Sequence, residues 1–300
     1  MKRNLSPSTP SLPRLQPKPN QRVLTGLFAF TPVVSEAWKQ TYSEFLDGMA
    51  AVSLSKKKTL IYQPVVNELT EEHSSFFKWD VDARILIGEV NDPIVRFFRK
   101  QGIPIVVIGD HLCHKVVWSV DLDYRAIVRQ AVDHLWNLGH RRIALFHQIK
   151  SSKYQDTMIQ GFKEEVRERK LNPKDCCVIS PVALELQKML SRKERRPTAI
   201  ITVEAGRSTR VLDAVRVLGL HVPRDLSIFQ CGGIDHELFD RREGCFDPRT
   251  VTKITSGSYE MGAQAIELAI RLAENGEGIS GRILVRSKFI EGQTCIPHIL

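Results

Sequence analysis

The densest set of reactive side chains in the sequence is Asp110-His111-Leu112-Cys113-His114, which follows the apolar run Pro104–Ile108. Zinc sites usually draw their ligands from two separated pairs, and no second Cys/His pair stands at motif spacing, so this stretch is expected to be a loop that holds no metal. Cys176-Cys177 is the other candidate. A redox role needs an exposed, low-pKa thiolate, and the simpler reading is the start of a strand. The six cysteines form no C-x-x-C pair and are irregularly spaced, as in a chain whose thiols stay reduced in the cytoplasm. No G-x-S-x-G, H-E-x-x-H, phosphate-loop or G-x-G-x-x-G pattern occurs, and the carboxylates are scattered. No catalytic residue and no cofactor is therefore expected, and the chain is read as a non-enzyme. What remains is non-covalent recognition, for which Trp38 offers a ring to stack on a ligand, unless it fills a core or surface position.

The elements that would position such a site follow from texture. The chain has 300 residues, 42% of them apolar, enough for two domains. No apolar run is long enough to span a membrane. Met1-Lys2-Arg3 is basic, but Asn4–Asn20 is polar and Pro-rich and has no apolar signal core, which points to the cytoplasm. Residues 1–22 carry Lys2, Arg3, Arg14, Lys18 and Arg22 and no acid, so this tail supplies most of the formal charge of +9. The rest is close to neutral and is not an obvious nucleic-acid surface. Residues 1–21 read as a disordered basic leader, either an extension without a role or a linker to an upstream partner.

From Val23 onward, short apolar runs alternate with helical patterns. Strands are expected at Val23–Phe30, Leu60–Tyr62, Ile85–Ile87, Pro104–Ile108, Ile143–His147, Cys177–Ile179, Ala199–Val203, Ser227–Cys231 and Ile283–Val285. Helices are expected at Trp38–Leu54, Asp123–Leu138, Tyr154–Arg169, Ala183–Ser191, Ser208–Leu218 and Ser258–Asn275. Ile127, Ala131, Val132, Leu135 and Trp136 form one stripe, Asp123 can cap that helix, and Gly139 can end it. Such alternation indicates parallel sheets covered on both faces, and about ten strands divide better into two Rossmann-like layers than one.

Four segments then become specific. They are Val81-Asp82-Ala83 through Gly102-Ile103-Pro104; Val120-Asp121, a helix, and Leu138-Gly139-His140-Arg141-Arg142-Ile143-Ala144; Pro197-Thr198-Ala199-Ile200 with Gly219 through Ile228; and Val251-Thr252-Lys253-Ile254 with Tyr259-Glu260-Met261-Gly262. In this order and spacing they resemble the effector-sensing domain of the lactose-repressor/galactose-repressor (LacI/GalR) family over residues 22–296. The resemblance implies an α/β fold of periplasmic-binding-protein type I architecture: two Rossmann-like subdomains with parallel sheets, joined by three crossovers, with a small ligand between them. It implies one sensor domain over 22–300, with an N-subdomain near 22–141 plus 258–282 and a C-subdomain near 142–257 plus 283–300. Within that cleft it places Asp121, Met158, Glu204 and Gly232, with Trp38 as the aromatic candidate. Three of these depart from the family pattern: Glu204 stands where an Asn commonly reaches the sugar, Met158 where an Arg stands, and Gly232 where an Asp binds ligand. Losing such charged hydrogen bonds removes about 1.5–3 kcal/mol each, so the site suits a sugar, a different ligand, or none. The resemblance further implies a transcription regulator acting as a homodimer, sensing a sugar-like effector. DNA would be reached only through a helix-turn-helix headpiece not present in this chain, and no membrane is involved. The alternative is a solute-binding protein of a transport system with the same fold.

Overall fold

The structure is a computed structural model, and it describes residues 23–30, 36–66, 81–88, 92–100, 102–109, 117–147, 153–179, 183–203, 205–232, 251–275 and 280–298. The expected leader, 1–21, and the Asp110–His114 stretch lie outside the described residues. In chain order the first elements are β1 (Val23–Phe30), α1 (Glu36–Ser55), β2 (Thr59–Val66), β3 (Ala83–Gly88), α2 (Asp92–Arg99), β4 (Ile105–Ile108) and β5 (Trp118–Leu122). Then come α3 (Tyr124–Asn137), β6 (Ile143–Phe146), α4 (Lys153–Glu168), β7 (Cys177–Ile179), α5 (Ala183–Leu190), β8 (Ala199–Thr202), α6 (Ala205–Val217) and β9 (Ser227–Cys231). The last are β10 (Thr252–Ile254), α7 (Ser258–Asn275), β11 (Gly281–Val285) and β12 (Phe289–Ile290).

These strands form two six-stranded sheets, ordered β11-β5-β4-β3-β1-β2 and β12-β10-β9-β8-β6-β7. All pairings are parallel except β10 with β12. The central strands explain why. Ile105–Ile108, Ile143–Phe146 and Ala199–Thr202 are buried at every position, so both faces need a helical cover. One face of the first sheet packs Leu86, Ile105 and Val107 against Val95 and Phe98 of α2. One face of the second packs Ala144, Phe146, Ile200 and Ile228 against α5 and α6.

The chain passes between the lobes three times, at Asp123, at 255–257 and at 286–288. The crossings run side by side. The Asp123 amide donates to the Val285 carbonyl (3.3 Å), the Thr255 amide to the Lys288 carbonyl (2.9 Å), and the Lys288 amide to the Thr255 hydroxyl (3.1 Å).

Both expected lobe boundaries shift. α3 was assigned to the N-subdomain, but it packs on α4 and β9, and the His134 ring lies 5.5 Å from Phe229 and 5.1 Å from Phe289. The crossing therefore falls at 122/123, not 141/142. Likewise β11 pairs along its whole length with β5, so residues 283–285 belong to the first lobe and the last crossing follows Val285. The local signals for α3 hold: the Asp123 carboxylate accepts from the Ala126 amide (3.0 Å), and Gly139 has φ of 88°.

α1 and α7 lie against each other on the first lobe. Their closest approach is at two glycines. A β-carbon on Gly262 would sit 2.1 Å from the Phe45 carbonyl oxygen, and one on Gly48 would sit 2.0 Å from the Tyr259 oxygen. Only hydrogen side chains allow the backbones to meet there.

Candidate functional site

In open parallel sheets, ligands bind beyond the carboxyl ends of the strands. Here β5, β10 and β11 each run at their carboxyl ends into a crossing, so the strand ends of both lobes face the same hinge. On the second lobe, α3 and α4 start at that end. Tyr124 and Tyr154 meet there with ring centroids 5.5 Å apart, and the Gln155 amide nitrogen donates to the Tyr154 hydroxyl (3.1 Å). Among the described residues, the Gln155 side-chain oxygen is buried without a partner, as are Nδ1 of His147, just past β6, and Oγ of Ser287 in the third crossing. A buried polar atom left unpaired costs about 1–3 kcal/mol. These three lie past the strand ends or in a crossing, positions that suit a bound polar molecule or water.

The strand ends of β8 and β9 carry a polar chain that is complete. Thr202 bonds Ser208 (2.7 Å), Ser208 donates to the Gln230 oxygen (3.0 Å), and the Gln230 amide donates to the Gly232 carbonyl (3.2 Å). All three side chains are buried, and the chain fixes the backbone at Gly232, whose φ is 71°. The Gly232 amide in turn donates to the Ile254 carbonyl (2.9 Å), tying the end of β9 to β10.

The five residues picked from sequence fare differently. Gly232 lies at the carboxyl end of β9, beside the polar chain. Trp38 is the third residue of α1, and its side chain, like the whole of Glu204, lies outside the described residues. Met158, on α4, is 2% exposed and lies in the core with Phe162 and Val166. Asp121 is fully buried at the end of β5, but its carboxylate is engaged. One oxygen accepts from Arg282 of β11 (2.6 Å) and the other from the Leu122 amide (2.8 Å). It is first an anchor for β11. Arg282→Met is expected to lower stability by about 2 kcal/mol, the charge-assisted bond lost to a buried carboxylate, as read by urea unfolding. Sequence reasoning missed Tyr124, Tyr154, Gln155 and His147. The usable signal was their place at strand ends and helix starts immediately after β5 and β6.

The expected start-of-strand pair holds nothing reactive. Burial pushes the thiols of both Cys176 and Cys177 up from their ordinary value, which keeps them protonated. His140 is also structural. It is 2% exposed, with Nδ1 2.8 Å from the Thr198 hydroxyl and Nε2 3.1 Å from the Ile296 carbonyl. A carbonyl only accepts, so Nε2 carries the proton and Nδ1 accepts from Thr198. The His298 amide donates to the Leu138 carbonyl (2.7 Å), and the His140 and His298 rings stack at 5.4 Å. The Gly139-His140 turn thus clamps the segment that follows β12.

Residues 132–295 match the periplasmic binding protein-like domain. The chain belongs to that family. The domain is 24% identical over 231 residues to the HTH-type transcriptional repressor MelR of Bacillus subtilis, covering 72% of this chain and 64% of MelR. It is 22% identical over 194 residues to catabolite control protein A of Staphylococcus xylosus, covering 62% of this chain and 59% of that protein. The chain thus spans about three fifths of the length of these curated relatives. Among solved structures it is similar to a LacI-family regulatory protein from Chloroflexus aggregans, with a TM-score of 0.73 and 24% identity over 91% of this chain and 99% of that one. A LacI-family regulator from Enterococcus faecium, solved with bound ribose, gives a TM-score of 0.69 and 17% identity over 92% and 100%. The two-sheet α/β architecture and the LacI/GalR resemblance read from the sequence are borne out. Among the described residues no helix of the domain is long and apolar enough to cross a membrane.

Proposed function

We propose that this chain is the effector-binding and dimerisation core of a cytoplasmic transcription regulator, sensing a sugar or sugar derivative between its lobes. The observation that carries this reading is the set of buried polar atoms on His147, Gln155 and Ser287 that lack partners among the described residues, together with the Tyr124–Tyr154 ring pair at the starts of α3 and α4. Hydroxyls can satisfy the first, and a sugar ring can lie on the second. Gly232, Trp38 and Glu204 complete the proposed lining, and Asp121 acts by holding β11 in place. Closure of the lobes about the crossings is the signal, carried by a homodimer. No catalytic step belongs to this reading. Sequence-specific DNA reading is assigned to a helix-turn-helix headpiece, as the name of the MelR relative suggests. Those relatives are regulators by name, which favours this reading over a transport role.

A thermal-shift screen with pentoses, hexoses and uronic acids tests it. A ligand at a hundred times its Kd stabilises the folded chain by about 2.7 kcal/mol, and Gln155→Leu should weaken binding about tenfold, as for one lost hydrogen bond. No shift with any sugar at millimolar concentration refutes the sugar effector. Light scattering that gives a monomer at micromolar concentration refutes the dimer.

A further inference from the structure

Strands β6, β7, β8 and β9 of the second lobe are parallel, so the loops that feed them all lie at the end away from the hinge. In sheet order, these loops are 219–226, 191–198, 139–142 and 170–176. They interlock: Nε of Arg142 donates to the Arg196 carbonyl (3.0 Å), the Thr198 amide to the Arg142 carbonyl (2.8 Å), and the Cys176 thiol to the Arg141 carbonyl (3.4 Å). Their composition is one-sided. The loop before β8 holds Arg192, Lys193, Arg195 and Arg196 against Glu194 alone. The loops before β6 and β7 add Arg141, Arg142, Lys170 and Lys174 against Asp175, and Arg224 is offset by Asp225. These four loops together therefore carry more excess positive charge than all residues after the first 22 together. The near-neutral total noted in the sequence hides it, because charge of the opposite sign lies elsewhere on the surface.

We propose that this end of the second lobe is a sequence-blind docking surface for the phosphate backbone of duplex DNA. Arg192, Lys193, Arg195, Lys170 and Lys174 are exposed and make no ion pair among the described residues, so their charge faces solvent. Four adjacent strands at about 4.8 Å spacing make a ridge roughly 15 Å wide. That length of duplex carries roughly nine phosphate charges, on the scale of the ridge itself. The planar forks of Arg192 and Arg195 match phosphate oxygens, and Lys193, Lys170 and Lys174 add point charges beside them. The ridge fits other anionic partners less well. Val222 is buried beneath it and the Arg141 guanidinium covers the Trp136 ring at 3.6 Å, so among the described residues Val217 and Ile296 are the large apolar side chains exposed at this end, too few for a membrane or for the core of a protein interface.

The test is fluorescence anisotropy of a labelled, short, mixed-sequence duplex titrated with the full 300-residue chain across a salt series. Three variants are compared: R192E/K193E/R195E, K170E/K174E, and a chain with the five basic residues of the tail changed to glutamine. The triple reversal should weaken binding at about 50 mM salt at least thirtyfold and reduce the salt slope by about three. K170E/K174E, on a separate loop, should act in the same direction by a smaller factor, and it carries the test if the triple variant does not fold. With the tail neutralised, the chain should still respond to the triple reversal. Unchanged affinity and slope in both ridge variants overturn the proposal. So does tighter binding to phosphatidylserine vesicles or to polyglutamate than to the duplex.

Discussion

Gly262→Ala is expected to lower the unfolding free energy by about 3 kcal/mol, the upper end of what overpacking costs. The new methyl would meet the Phe45 carbonyl oxygen at 2.1 Å, and Gly48→Ala would meet that of Tyr259 at 2.0 Å. Both obstacles are backbone, so no rotamer change relieves them and the helices themselves must separate. α7 cannot yield easily, because Met261, Ala265, Ile266, Leu268 and Ala269 are buried. The two alanines together should cost less than their sum, since separation forced by one makes room for the other. Gly161→Ala is the control of opposite sign. It lies within α4, where a β-carbon finds its nearest neighbours at 3.8 Å, so the change should stabilise by about 0.5–1 kcal/mol through helix propensity. Urea denaturation of the four variants, compared at constant m-value, reads all of these. A neutral Gly262→Ala would show that α1 and α7 do not touch.

Lowering the pH should destabilise the domain through His140. Burial, with the neighbouring His298 adding to it, pulls this imidazole from 6.5 to about 4, whereas the Ile296 carbonyl opposes the shift. His134 and Arg141 also face it and act in the same direction as His298. Above about pH 6.5 the group is neutral in both folded and unfolded chains, and stability is complete. Between 6.5 and 4 the unfolded chain binds a proton that the folded chain refuses. Stability is therefore lost at about 1.4 kcal/mol per pH unit, reaching about 3 kcal/mol near pH 4 and levelling off below. His140→Gln removes this component and should flatten the profile over that window. A smaller slope should persist, because burial also lowers His134 and His298. Equal pH profiles for the two proteins would remove His140 as the cause.

The alternation of buried strands with amphipathic helices made the two-sheet architecture readable, and Asp123 and Gly139 marked the ends of α3. Which lobe each element joins was not readable. A strand followed by a helix looks the same whether the next strand enters the same sheet or the other one, and α3 and β11 were misassigned for that reason. The site suffered similarly. Alignment to a pattern fixes where Met158 and Asp121 fall along the chain, but the core around one and the Arg282 partner of the other are contacts between distant segments. The signature Glu260-Met261-Gly262 was legible as a motif, while its cause, the Phe45 carbonyl on α1, lies far upstream.

The three crossings also constrain how the protein is made. A ribosome working from the amino end has delivered β1 through β5 by Leu122, yet their sheet lacks its β11 edge until Val285 emerges, and one of its faces lacks α7. The usual order, in which an early domain finishes folding while a later one is synthesised, is therefore closed to this chain. Its first lobe waits, with apolar strands uncovered, while nearly the whole of the second is translated. Chaperone capture of the nascent chain should be concentrated in that interval, and should end once β11 can dock beside β5.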